Sequence, residues 1–310
     1  MKPEDFLKNA SGKVAVFMHD DGDGACCGAL ALLVLKKFNV KPELFIAEHG
    51  EVSAAELKRW DTIIVLDFTI DHYPELVDAM KGKSVLVVDH HAIKQDLNKL
   101  GFIHVNPRFK NPKKYISATE VFYKICVKAG LKGHEWISRL GGVSDNSLDG
   151  SEAEVRAAAR IAALKSVKVK DSTIKVAKLL AGATSLDEVL YNPIFDKAEE
   201  TIEKEIGKQI ALFEVSTSGP IRFFQIRSKY SIMASTVNRL FDMYPGLTLV
   251  VFKQFEDRWK ISGRSRKNDL SKAFAEASAG IGVGGGHPTA AGATVSDIEQ
   301  FKSRLLRILK

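Results

Sequence analysis

Three apolar runs early in the chain each end in an acidic residue. Val14-Ala15-Val16-Phe17-Met18 leads into His19-Asp20-Asp21-Gly22-Asp23-Gly24, Thr62-Ile63-Ile64-Val65-Leu66 ends at Asp67, and Ser84-Val85-Leu86-Val87-Val88 ends at Asp89-His90-His91. A fourth candidate, Asp145, stands in Gly141-Gly142-Val143-Ser144-Asp145-Asn146 after another apolar segment. Carboxylates gathered in one place repel one another and are costly to strip of water unless cations compensate them. A mixed carboxylate–imidazole set suits a borderline-hard divalent ion such as Mn²⁺ better than a thiolate-seeking metal. Two such ions about 3.5–4 Å apart can clamp a phosphoryl group and activate a water molecule. One Asp bridging the pair is the usual way to hold both, and Asp67, alone at the end of a central strand, is the candidate bridge.

Taken singly, each piece has a plainer reading. An Asp that ends a strand is commonly a turn residue or helix cap. The Asp21-Gly22-Asp23-Gly24 stretch lacks the remaining ligands of a calcium loop. What lifts the set above these readings is its repetition at the ends of successive strands. Short, continuously apolar, β-branched runs separated by helical stretches indicate a parallel α/β sheet, buried on both faces. In such a sheet the C-terminal strand ends share one edge, where ligands bind. Asp21, Asp23, Asp67, Asp89, His90 and His91 can therefore converge there. His49, His72, His104 and His134 have no such context and read as surface or core histidines.

The supporting elements follow from the pattern. Leu44-Phe45-Ile46 is a further strand, a helix is expected over residues 25–38, and Ser117-Ala118-Thr119-Glu120 is a capping box opening a helix to about Ala129. Residues 150–214 are helical throughout, broken at Asn192-Pro193, with a long helix from Phe195 to Phe213 suited to joining two lobes. Beyond it, strands are expected at 221–226, 247–252 and 259–262, and helices near 231–241, 270–277 and 296–308. This divides the chain into a catalytic domain at 1–190, a helical linker at 191–215 and a smaller α/β domain at 216–310.

Charge follows the same division. Ser216–Lys310 holds 15 Lys+Arg against 7 Asp+Glu, a net of +8, whereas residues 1–215 hold 30 basic against 31 acidic residues. A positive lobe beside a metal-bearing one favours an anionic substrate such as nucleic acid. No stretch approaches the roughly 18 apolar residues of a membrane span, and Met1-Lys2-Pro3-Glu4-Asp5 opens no apolar signal core, so a cytoplasmic protein is expected. Cys26, Cys27 and Cys126 form no Cys-x-x-Cys pair and read as buried small residues rather than disulfides or zinc ligands.

The basic lobe carries its own constellation. Ser262-Gly263-Arg264-Ser265-Arg266-Lys267 follows a strand, and Gly282-Val283-Gly284-Gly285-Gly286-His287-Pro288 precedes the small-residue run Thr289–Ala293. Consecutive glycines let backbone N–H groups approach a phosphate, and a guanidinium supplies a bidentate clamp. His287 stands where a dinucleotide fingerprint needs its third glycine, and no triphosphate-binding Gly-Lys-Ser/Thr loop occurs.

Together these residues resemble the DHH phosphoesterase family: Asp89-His90-His91, the His19-x-Asp21-x-Asp23-Gly24 loop, Asp67 and Asp145 on one side, and Gly284-Gly285-Gly286-His287-x-x-Ala290-Ala291-Gly292 on the other. The second signature is similar to the DHH-associated domain of RecJ-type exonucleases and nanoRNases. The resemblance implies a cleft between two lobes with two Mn²⁺ ions, Mg²⁺ or Co²⁺ being substitutes. His19, Asp21, Asp23, Asp67, His90 and Asp145 would be metal ligands. His91 would lie beside the scissile phosphate and Asp89 would orient the histidines. Arg264, the Gly284, Gly285 and Gly286 backbone, and His287 would hold substrate. Inorganic pyrophosphatases and many nanoRNases resemble His-x-x-x-Asp-x-Asp instead, so the one-residue spacing from His19 to Asp21 favours the RecJ-like branch.

The leading expectation is an Mn²⁺-dependent exonuclease on single-stranded DNA or RNA. The chain is similar to short archaeal RecJ-like nucleases, for which a helicase or a replication or repair protein is a plausible partner. The alternative is a nanoRNase acting on short oligonucleotides, or a 3′-phosphoadenosine 5′-phosphate phosphatase. A pyrophosphatase would lack the Gly-Gly-Gly-His motif, and a non-catalytic scaffold should have lost ligands that are present here.

Overall fold

The computed structural model describes residues 1–48, 52–216 and 220–309, with backbone alone at 214–216; His49 lies outside the described residues. The chain divides into two units, Met1–Glu199 and Glu200–Lys310. The first contains β1 (Val14–His19), β2 (Glu43–Ala47), β3 (Thr62–Leu66), β4 (Ser84–Val88) and β5 (Ile103–Val105). They form one all-parallel sheet in the order β2-β1-β3-β4-β5. Its polarity puts the C-terminal ends of β1, β3 and β4 along one edge, as the apolar runs required. β5 was not expected, because Ile103-His104-Val105 is too short to show a period.

Both sheet faces are covered, which is why the strands show no polar–apolar alternation. Ala15, Phe17, Ile63, Val65, Val85 and Val87 pack on one side with Leu57, Trp60, Leu76, Val77, Met80 and Leu97. The opposite residues face the helix Gly22–Lys36, whose Ala25, Cys26, Cys27, Ala29, Leu30 and Ala31 are fully buried. That helix is enclosed in turn by Ala118–Lys128, Glu135–Ser144 and Ser172–Gly182. Each large apolar side chain so buried contributes about 1.5–3 kcal/mol relative to exposure. All three cysteines are buried and free. The Ser117–Glu120 capping box forms as expected, and no helix among the described residues is long and apolar enough to cross a membrane.

The helical stretch resolves into Glu152–Ser166, Ser172–Gly182, Leu186–Leu190 and, after a single turn at Pro193–Phe195, the long helix Asp196–Ser216. The second unit holds β6 (Ile221–Gln225), β7 (Thr248–Phe255), β8 (Arg258–Arg264), β9 (Gly282–His287) and β10 (Ala290–Val295). They form a mixed sheet in the order β6-β7-β8-β10-β9, parallel only between β6 and β7. Helices Leu270–Ser278 and Ile298–Ile308 cover the face bearing Val250, Phe252, Ile261, Ala291, Ala293 and Val295. The glycine-rich run, which is not among the expected strands, is the edge strand β9 of a hairpin with β10. Two facts explain it. Gly285 and Gly286 adopt φ of 157° and 143°, a conformation side chains rarely take. A Cβ on Gly284 would lie 2.7 Å from the Phe274 carbonyl, so the helix Leu270–Ser278 rests directly on the strand backbone.

One buried cation secures the turn into the long helix. Arg160, 3% exposed, donates to the carbonyls of Leu190 (2.6 Å) and Asn192 (3.1 Å) and pairs with Asp196 and Glu199. Replacing Arg160 with Met should lower stability by about 1–3 kcal/mol, since the buried Leu190 carbonyl would be left without its donor, whereas Asp196 stays solvated. Urea unfolding would measure it, and a loss under about 1 kcal/mol would show that the turn holds itself.

Candidate metal centre

The motif residues gather at the C-terminal edge of the first sheet. β1 ends at His19, and the next residues turn at once into the helix Gly22–Lys36, with Asp21 as its cap: Asp21 Oδ1 accepts from the Gly24 amide at 2.8 Å. Gly24 is required there, because a Cβ would lie 2.1 Å from the His19 carbonyl oxygen. The other Asp21 oxygen meets His19 Nδ1 at 2.6 Å. Asp20, by contrast, is held away from the cluster by Lys165 and Thr173.

Asp67 occupies the middle. It is 1% exposed and sits at φ 60°, left-handed backbone that turns the chain sharply out of β3. Its Oδ1 lies 3.2 Å from His90 Nε2, and its Oδ2 lies 3.8 Å from His19 Nδ1. The two oxygens thus face two different sets of potential ligands. On the far side of His90, Nδ1 lies 3.6 Å from Asp145 Oδ2. Asp145 caps the C-terminus of the helix Glu135–Ser144 rather than ending a strand. Three overlapping groups result, His19–Asp21–Asp67, Asp67–His90–His91 and Asp23–His90–Asp145, each compact enough to hold an ion.

The fit to cations is best judged from the orphaned atoms. Asp67 Oδ1 and Oδ2, His90 Nδ1 and Asp145 Oδ2 are all buried without a hydrogen-bond partner. Natively buried polar atoms are rarely left so. Burial pushes Asp67 well above the usual carboxylate range, with the charges of Asp23, Asp21, Asp89 and Asp145 adding to it. Burial likewise raises Asp23 to about 8, despite amide donors from Ala118 (2.8 Å) and Thr119 (3.1 Å) at the start of the helix Ala118–Lys128. Asp145 rises to about 6 through burial and Asp21. Burial also works to raise Asp21, but the His19 ring and the Gly24 amide hold it down, at about 2. His90 falls to about 4 through burial and its His91 neighbour, which leaves it neutral and able to ligate. The donor set is oxygen and imidazole with no thiolate in it, which suits Mn²⁺ or Mg²⁺.

Asp89 and His91 stand apart from this pattern. Asp89 is buried yet satisfied: its Oδ1 bonds His91 Nδ1 at 2.8 Å, and burial is outweighed so that its carboxyl stays low. That bond in turn raises His91 and leaves its Nε2 free. His19, Asp67 and His91 line a pocket of about 480 Å³ with Glu48, Phe68, Thr69 and His72.

Residues 13–143 match the DHH family, N-terminal domain, and residues 220–310 match the DHHA1 domain. The chain belongs to the DHH family. It carries a DHH domain followed by a DHHA1 domain. No curated protein sequence matches the chain significantly. Among solved structures it is similar to RecJ of Thermus thermophilus in complex with Mn²⁺, at a TM-score of 0.72 and 16% identity, covering 99% of this chain and 54% of that one. The chain therefore spans about half the length of that RecJ, which has also been solved with Mg²⁺. It is similar to a pGpG-specific phosphodiesterase, PggH of Vibrio cholerae, at 0.54 and 14% identity, covering 96% and 97% of the two chains. CDC45 of Entamoeba histolytica gives 0.55 at 10% identity, covering 99% and 97%. These likenesses share the fold of the DHH and DHHA1 domains.

Several supporting residues were not legible in the motifs. Arg108 Nε donates to the His90 carbonyl at 2.7 Å and Asn106 Nδ2 to the His91 carbonyl at 3.0 Å, fixing the triplet's backbone. The Asn106-Pro107 turn signal was the available hint. Lys165 bridges Asp20 Oδ2 (3.2 Å) and Glu48 Oε1 (3.1 Å) from a distant helix, and no local pattern announces it. His72 lines the pocket instead of serving only as a surface residue.

In the DHHA1 domain, β10 pairs Ala290 with Arg264 on one side and with His287 on the other. Arg264, Ala290 and His287 thus form one row on one sheet face, the outer two about 10 Å apart. Arg264 is steadied by Asn238 Oδ1 at 2.9 Å. Gly285 faces Gly292 in the neighbouring row but one, leaving an open strip of backbone between strands β9 and β10.

The raised carboxyls set a pH signature. Unfolded carboxyls titrate near 3.9, whereas Asp145 at about 6 and Asp23 at about 8 keep their protons in the folded state. The metal-free fold should therefore lose stability as pH rises from about 4 to 8, and ions that bind the ionised forms should restore it. Calorimetry should find the Mn²⁺-induced rise in Tm over EDTA larger at pH 8 than at pH 5.5. Equal rises would remove the charge-compensation argument.

Proposed function

We propose that this DHH-family protein is an Mn²⁺-dependent exonuclease that removes nucleotides from the end of single-stranded DNA or RNA. The observation that carries the reading is Asp67, whose two buried, unpartnered oxygens face separate ligand groups. In this reading His19, Asp21 and Asp67 hold one ion, and Asp67, Asp23, His90 and Asp145 hold the other. Bound there, the ions supply Lewis-acid charge for the phosphoryl group and lower the pKa of water. His91 presents Nε2 to the pocket and, kept cationic by Asp89, donates a proton to the leaving oxygen. Asp89 is a positioning residue. The row Arg264–Ala290–His287 and the glycine strip of β9 hold phosphates or bases of the substrate, helped by the +8 charge of Ser216–Lys310. A helicase or another replication or repair protein is the partner class that fits a compact nuclease of this kind.

A second reading, hydrolysis of dinucleotides, short oligonucleotides or 3′-phosphoadenosine 5′-phosphate, is favoured by one observation. The chain shares the fold of PggH, a pGpG-specific phosphodiesterase, over 96% of its own length. Purified protein with Mn²⁺ should shorten end-labelled 20-mers of DNA or RNA stepwise. Turnover confined to dinucleotides or 3′-phosphoadenosine 5′-phosphate would replace the first reading with the second. Asp67→Ala should lower either activity by about 10³-fold or more, and near-normal turnover in that variant would overturn the ligand assignment itself.

A further inference from the structure

The DHH domain carries a feature that the metal centre does not use. From Pro107 to Tyr115 the chain reads Pro-Arg-Phe-Lys-Asn-Pro-Lys-Lys-Tyr, with four basic residues and no acidic one. Lys110, Lys113 and Lys114 are exposed, and among the described residues no carboxylate pairs with them. Two aromatic rings in the same segment also face solvent: Phe109 is 42% exposed and Tyr115 47% exposed. Phe109 rests edge-on against His104, ring centroids 5.0 Å apart, and leaves the remainder of its ring open to solvent.

The segment is a built surface attached to the centre at both ends. At its start, the Asn106 side chain accepts from the Arg108 amide at 2.9 Å, and Arg108 Nε grips the His90 carbonyl. In its middle, Arg108 Nη1 reaches the Pro112 carbonyl at 3.4 Å, and Asn111 Oδ1 accepts from the Lys113 amide at 3.1 Å. At its end, the Tyr115 hydroxyl donates to the Asp145 carbonyl at 2.6 Å, which sets the ring 6.0 Å from the His90 ring. An exposed aromatic thus stands at the rim of the metal centre, followed outward by unpaired cations.

We infer that Pro107–Tyr115 is a single-strand-binding platform of the DHH domain, on which Tyr115 stacks a base next to the scissile phosphate and Lys110, Lys113 and Lys114 take the phosphates beyond it. Aromatic rings alternating with cations suit a single strand, whose bases are free to stack whatever their identity. A duplex would offer its phosphates but not its base faces. This inference rests on the exonuclease reading and adds to it a strand-holding surface outside the DHHA1 domain.

The test is binding of a fluorescein-labelled 20-mer of thymidylate in EDTA, where no turnover occurs, followed by anisotropy over a range of salt. Relative to the unmodified protein, Lys110→Gln/Lys113→Gln/Lys114→Gln should weaken binding at least about tenfold at 0.1 M salt. It should also reduce the slope of log K against log salt by about 2, as expected when three contacts at about 0.7 each are lost. Tyr115→Ala should weaken binding by about 5- to 100-fold with the slope unchanged, whereas Tyr115→Phe, which keeps the ring, should bind normally. The Mn²⁺-induced rise in Tm, unchanged in the triple lysine variant, confirms an intact centre. If the triple variant keeps both affinity and slope, the platform is overturned while the exonuclease reading stands. If the unmodified protein binds a 20-mer no better than a dinucleotide, the strand reading falls and the platform with it.

Discussion

Four buried polar atoms on two carboxylates and an imidazole, left side by side without hydrogen-bond partners, form the constraint around which the first domain is arranged. Both carboxylate oxygens of Asp67, Nδ1 of His90 and Oδ2 of Asp145 lie where water does not reach them and no protein donor compensates them. A fold keeps such a cluster only if something external takes up the charge. The surrounding architecture serves that end. The parallel sheet delivers Asp67 and the histidines to one edge, the left-handed backbone at Asp67 turns its carboxylate inward, and Gly24 allows a helix to begin against the carbonyl of His19.

Neighbouring strands show how context separates residues of the same type. Leu66 and Val88 are register partners, so Asp67 and Asp89 follow equivalent positions on β3 and β4. Asp89 turns to His91, gains a charge-assisted bond and stays ionised by its own local means. Asp67 finds no such donor and is left for cations. Two carboxylates one strand apart have thereby become an orienting group and a candidate bridge, with the difference set by one imidazole.

The strand-end acids were legible because β1, β3 and β4 are buried on both faces, and burial writes itself into sequence as unbroken apolar runs. The Ser117 capping box and the long helix after Asn192-Pro193 were legible for similarly local reasons. β5 was not, since a three-residue strand has no period. β9 and β10 were not, because glycine and alanine carry no strand signal; their pairing depends on a helix lying close against the backbone at Gly284. Asp145 was found by its neighbourhood, although it sits at a helix end. Lys165 and Tyr115 could not be found at all, as each is placed by a partner far away in sequence.

The amides that clamp Asp23 come from residues 95 and 96 positions further along the chain. At about 5–20 residues per second of synthesis, the loop carrying His19, Asp21 and Asp23 waits roughly 5–20 s for the helix that completes it, and longer still for Asp145. Until then these two acidic side chains and the histidine are displayed on a nascent chain with no fixed geometry. Selectivity among metals, which depends on geometry as much as on ligand type, is therefore acquired late: the polypeptide meets the ions of its surroundings first as an open chelator and only afterwards as a shaped site.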